Sequence, residues 1–133
     1  MAMILAYWCV LIAAFMPFGF VLYAKAGGPK KMGLKENHHP RRWLEEQAEG
    51  PQRRAYWAQL NSFEAFPPFA AGVIIAVISG GSIGAINLFA VLFVLLRLVY
   101  GWCYISDRAT MRSLVWGGAA ACTVALFIVA AIG

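Results

Sequence analysis

Charge is scarce in this sequence. Lys, Arg, Asp and Glu supply only 13% of its 133 residues, and 62% are hydrophobic. A soluble globular domain carries about twice that share of charge, so a soluble fold is excluded. Cysteine is limited to Cys9, Cys103 and Cys122. They are far apart, each lies within an apolar stretch, and no CxxC spacing occurs. Neither a disulfide framework nor a zinc site is supported, and the three read as small apolar packing residues. The histidines, His38 and His39, sit side by side before Pro40 and read as solvated loop residues. Low-complexity segments and internal repeats are absent.

Long apolar runs are plentiful. A helix needs about 20 mostly apolar residues to cross the hydrocarbon core, and four stretches qualify: Ala2 to Ala24, Tyr56 to Ser79, Ile83 to Ile105 and Met111 to Ile132. The expected fold is therefore all-α, an integral membrane four-helix bundle forming a single domain over residues 1–133. The remaining segment, 25–55, is too short to bury a core of its own. Within it, Trp43 and Leu44 alternate with charges and predict a short interfacial helix. Gly50-Pro51 then breaks the chain, with Pro51 suited to a helix's first turn. Ala24-Lys25-Ala26 loosely fits a signal cleavage site, but Met1 to Tyr7 carries no charge and the apolar run is too long for a signal peptide. The first run is expected to stay as a span. Pro17 is expected to kink it, and Pro67-Pro68 to bend the second.

Lys25, Lys30, Lys31, Lys35, Arg41, Arg42, Arg53 and Arg54 all fall in or beside the first loop, whereas the second, Gly80 to Gly84, has no charge. Such clustering beside spans argues against a nucleic-acid surface. Basic short loops mark the cytoplasmic side. Loop one and the Arg108 loop are thus expected in the cytoplasm, and both termini in the periplasm. Small size and spare loops suit a bacterial inner membrane.

Ionisable residues inside a span are costly unless paired or wet, and point to function. Glu64 and Arg97 reach a similar depth in the second and third spans and are expected to pair. Arg54, Asn61 and Glu64 follow an i, i+7, i+10 pattern; Arg97, Tyr100, Tyr104 and Arg108 follow i, i+3, i+7, i+11. Each set forms one stripe on its helix. Two polar stripes imply a cleft opening toward the cytoplasm, and Arg112 at the start of the fourth span can close over it. Arginine grips carboxylates through a bidentate fork and lowers a neighbouring thiol's pKa. Glutathione carries both groups. The bland alternatives are an ion pair that only sets helix register and tyrosines that only anchor at the interface.

Glu49-Gly50, Arg53-Arg54-Ala55 and Asn61-x-x-Glu64 with a proline soon after resemble the second-helix signature of the membrane-associated proteins in eicosanoid and glutathione metabolism. Arg97-x-x-Tyr100-x-x-x-Tyr104, followed by Arg108 and Arg112-Ser113, resembles the remainder of that pattern, in the same order. Microsomal glutathione transferases belong to that family. The resemblance implies a homotrimer with glutathione between the second helix of one subunit and the third and fourth of its neighbour. It assigns Arg54, Asn61, Glu64, Arg97, Tyr100 and Tyr104 to the glutathione site and Arg112 to the thiolate, with Arg108 as the alternative. Where several members carry an arginine four residues before the motif asparagine, this chain has Trp57.

The expected activity is a metal-free, glutathione-dependent transferase or peroxidase acting on hydrophobic electrophiles that arrive from the bilayer. A non-catalytic lipid- or glutathione-binding protein of the same fold is the main competitor. A proton or ion pathway through Glu64 and Arg97 is the third, and it lacks a polar exit beyond Pro68.

Overall fold

The computed structural model describes residues 4–28 and 30–133. Its helices are α1 (Leu5–Ala26), α2 (Pro40–Glu45), α3 (Pro51–Ile78), α4 (Ile83–Ile105) and α5 (Ala109–Ile132), with a 3₁₀ turn at Glu36–His38. Among the described residues there is no strand. Helices α1, α3, α4 and α5 are long and apolar enough to cross a membrane. The third span has the expected bounds. The second begins at Pro51, earlier than the apolar run, because proline at the first helical position forfeits no hydrogen bond and the helix includes the polar turn that precedes Tyr56. Helix α5 begins at Ala109 rather than Met111, and α1 runs two residues past Ala24. Ala2, in the expected first span, lies outside the described residues. Pro17, Pro67 and Pro68 sit inside helices that run unbroken through them. The carbonyls of Ala13, Phe63 and Glu64 lose their i+4 donors there.

Two tight turns set the register of the bundle. After α3, Gly80 takes φ 78°. Its N–H donates to Val77 O, and that of Gly81 donates to Ala76 O, closing a Schellman motif. After α4, the same motif forms around Asp107 at φ 61°, with Asp107 N–H on Tyr104 O and Arg108 N–H on Cys103 O.

Helices α3 and α4 form the centre, with α1 and α5 on opposite flanks. Helix α1 buries small or flexible residues, Ala6, Cys9, Ala13 and Met16, and turns Leu11, Phe15, Phe18 and Leu22 outward. Helix α5 likewise buries Ala119, Cys122, Leu126 and Val129. Small side chains bring α1 close to its neighbours, as expected where lipid is already as apolar as leucine, and on α5 Leu126 fills the space above Gly72 of α3. The core proper is the pair Phe69 and Phe93, stacked at 3.9 Å between centroids with planes 4° apart. Of the small run 117–121, Gly118 and Ala119 face inward, whereas Gly117 has open space around it. All three cysteines are buried and free.

The segment between α1 and α3 is anchored by a satellite cluster in which Leu44 of α2 packs with Ala24, Ala55 and Tyr56. Trp43 packs partly buried beside them. Gln52 ties the loop down: its Nε2 donates to Ala24 O at 3.0 Å and to Lys30 O, and its Oε1 accepts from Lys30 N–H. At the other end, Asn87 Oδ1 accepts from Ala6 N–H at 2.9 Å. This satisfies a free first-turn donor of α1.

Candidate functional site

On α4, Arg97, Tyr100 and Tyr104 share a face because their spacing matches the helical repeat. Arg97 is 2% exposed and donates from Nη2 to Ser62 Oγ at 3.2 Å. Ser62 is free to accept because its own hydroxyl donates to Ala58 O. The Arg97 guanidinium lies 4.1 Å from the Tyr100 ring centre. Tyr100 meets Tyr104 edge-on at 5.7 Å, and Arg112 of α5 covers Tyr104 at 4.5 Å. Cation and ring thus order into a ladder, Arg97, Tyr100, Tyr104, Arg112. A branch runs through Trp57, 6.3 Å from Tyr104, to Arg53, 5.0 Å over Trp57. Each cation–π contact contributes about 0.5–2 kcal/mol, more where water is excluded.

Asn61 and Glu64 of α3 form the other wall. With Trp57, Leu60, Tyr100 and Tyr104 they line an open cleft of about 430 Å³. The same two residues border a second, apolar groove of about 320 Å³ reaching deeper between α3, α4 and α5. Pro68, Phe93, Trp116, Ala119 and Val124 wall it, and Arg97 and Thr123 are its polar points. Asn61 Oδ1 is buried without a hydrogen-bond partner, a costly state for an acceptor.

The expected Glu64–Arg97 ion pair does not form within the protomer. Among the described residues the ion pair within 4.0 Å is Arg42–Glu46. Ser62 and Glu64 are two residues apart and face different ways; Arg97 turns to Ser62 and Tyr100, while Glu64 stays exposed.

Arg54 and Arg108 are set apart from the ladder. Arg54 donates from Nε and Nη2 to Ile105 O at 3.2 and 3.0 Å. It caps the carbonyl end of α4, where a cation is favoured. Arg108 does not continue the α4 stripe, because the turn at Asp107 ends the helix first. Its guanidinium instead lies 4.8 Å from the exposed Trp102 ring. Ser62, Trp116 and Thr123 belong to the site region and carry no sequence signal that separates them from ordinary span residues. The opposite side of α3 bears a further groove of about 590 Å³ with Lys25, Arg41, Tyr56 and Gln59 among its lining. No metal-ligating cluster occurs among the described residues.

The sequence profile of the MAPEG family matches residues 5–132. No curated protein and no solved structure matches the chain.

Proposed function

The chain belongs to the MAPEG family, and from that premise we propose that it is a glutathione-dependent membrane transferase or peroxidase for hydrophobic electrophiles. That family holds both glutathione-dependent enzymes and non-catalytic members. The observation that carries the enzyme reading is the meeting of the polar cleft and the apolar groove at Asn61 and Glu64. A conjugation reaction needs such an arrangement: a charged tripeptide on one side and a greasy acceptor on the other, held within bonding distance.

In this reading Asn61 and Glu64 accept from the ammonium and amide N–H groups of glutathione. Arg97 and the tyrosine hydroxyls serve its carboxylates, and Arg54 supports the site by holding α4. Arg112 faces the sulfur and favours the thiolate. The thiolate attacks the electrophilic carbon, a C–S bond forms, and the leaving group departs with its electron pair. With a peroxide, the thiolate attacks oxygen, an S–O bond forms as the O–O bond breaks, the departing alkoxide takes up a proton, and a second glutathione thiol converts the sulfenic acid to glutathione disulfide and water.

A homotrimer completes the design. Glu64 is exposed at mid-span in one protomer, a costly position against lipid. The groove behind α3, with Phe18, Leu60 and Phe63 at mid-span and Lys25, Arg41 and Glu45 at its loop end, offers a neighbour a mostly apolar surface. Loop one lies in the cytoplasm, where glutathione is supplied, and the membrane is a bacterial inner membrane.

The experiment is conjugation of glutathione to an aryl halide by the protein purified in detergent. Turnover with wild type, and its loss with Arg112→Ala at neutral pH, supports the reading. Glutathione binding without turnover on any electrophile moves the protein to the non-catalytic class, which the apolar groove also suits. Absence of glutathione binding overturns the reading.

A further inference from the structure

Every large apolar side chain exposed on the described surface lies in a membrane-spanning helix, with one exception. That exception is Leu34, 92% exposed. Lipid, and neighbouring protomers in the proposed trimer, account for the others. Leu34 sits in the loop between α1 and α2, with Lys30, Lys31 and Lys35 around it, all exposed.

These cations are not neutralised inside the protein. Residues 25–55 hold eight Lys and Arg against four Glu, and no carboxylate lies within 4.0 Å of Lys30, Lys31 or Lys35 among the described residues. Of the carboxylates, Glu46 pairs with Arg42, Glu45 accepts from the Tyr56 hydroxyl, and Glu36 folds over Gly33 without coming within 4.0 Å of a lysine among the described residues, so the segment keeps a net positive charge.

The loop's height is also set. Gln52 clasps Ala24 O and Lys30 O together, and Met32 N–H donates to Lys25 O at 2.8 Å. The chain therefore folds back onto the last turn of α1. Lys30, Lys31 and Leu34 are held near where that helix leaves the hydrocarbon, at headgroup level.

We propose that the segment 30–35 docks on the anionic phospholipid headgroups of its own membrane, with Lys30, Lys31 and Lys35 at the phosphates and Leu34 inserted among the upper acyl carbons. A bare leucine in water is thereby covered. Unpaired lysines gain partners in a negatively charged leaflet, each contributing appreciably at low salt. The docked loop holds α2 against the bilayer and fixes the cytoplasmic end of α1. This inference stands independently of any activity.

The test places a nitroxide at Leu34→Cys, with Cys9, Cys103 and Cys122 changed to Ala, in vesicles with or without phosphatidylglycerol. In phosphatidylglycerol vesicles the label should be reached by oxygen and shielded from a water-soluble nickel reagent. In phosphatidylcholine alone, or at high salt, it should return to water. Each of Lys30→Gln, Lys31→Gln and Lys35→Gln should lower the docked-to-free ratio roughly fivefold at low salt. Should the cysteine-free protein not fold, phosphatidylglycerol retained on purification is compared for wild type and Leu34→Asp with native cysteines, and selective loss in the variant is expected. A label equally water-exposed in both lipids overturns the proposal. So does one shielded from both reagents in every lipid, which would mean that a neighbouring chain covers Leu34, and so does unchanged lipid retention.

Discussion

The guanidinium carbon of Arg112 stands 4.5 Å from the centre of the Tyr104 ring. The contact joins α5 to α4 across the turn at Asp107, so it depends on where that turn places the first residues of α5. It holds the arginine in the only half-buried position among the cations of that turn, since Arg108 is exposed on the Trp102 side.

If Arg112 favours the glutathione thiolate, removing it lets the bound thiol return toward its solution pKa of about 8.5. The sign is fixed: the active form is deprotonated, so the rising limb of the pH–rate profile should move to higher pH in Arg112→Ala. A shift of about one unit lowers the rate near neutrality about tenfold, with kcat falling more than KM rises. Activity should recover in alkaline buffer, and Arg112→Lys should restore part of it. An unchanged profile removes Arg112 from the reaction.

Glu64 is exposed on the isolated protomer at the depth of Arg97, with no cation within 4.0 Å. A second protein surface should cover it. Native mass spectrometry from detergent should give a trimer for wild type, and Glu64→Lys, which puts a long cation at mid-span in place of the carboxylate, should lower the trimer fraction. A stable monomer for wild type sinks the shared-site reading.

Arg54→Ala removes two hydrogen bonds to the Ile105 carbonyl. The expected loss is about 1.5–3 kcal/mol for a charged donor, seen as a lower unfolding midpoint in detergent. Were Arg54 only a carboxylate grip, KM would rise while the unfolding midpoint stayed in place. Arg54→Lys should recover part of the stability, because a lysine can still meet the end of α4.

The two Schellman turns differ in their left-handed residue. Gly80→Ala puts a side chain at φ 78° and should cost about 1–2 kcal/mol. Gly81→Ala meets Val129 Cγ1 at 2.8 Å and Ala76 O at 3.0 Å, so it too should destabilise. Asp107→Gly, at φ 61°, should be neutral or stabilising. Thermal unfolding of the three variants checks the order, and a destabilised Asp107→Gly would contradict it.

Hydrophobic run length located all four spans, because the demand of a hydrocarbon layer is one-dimensional and is met residue by residue along the chain. Helical spacing likewise placed Arg97, Tyr100 and Tyr104 on one face, and Asn61 with Glu64 on another, since those relations lie within single helices. Relations between helices were not written that way. How far each helix rotates against its neighbours turned Arg97 toward Ser62 rather than Glu64, and used Arg54 to cap α4. The turn at Asp107 ended one stripe and began another, separating Arg108 from Arg112. The sequence by itself determined a membrane-spanning helical chain with polar stripes on its second and third spans. Only the tertiary structure decided that the arginines stack on the aromatic rings around the cleft or cap a helix, because side-chain direction across an interface depends on packing and turn geometry that no periodicity records.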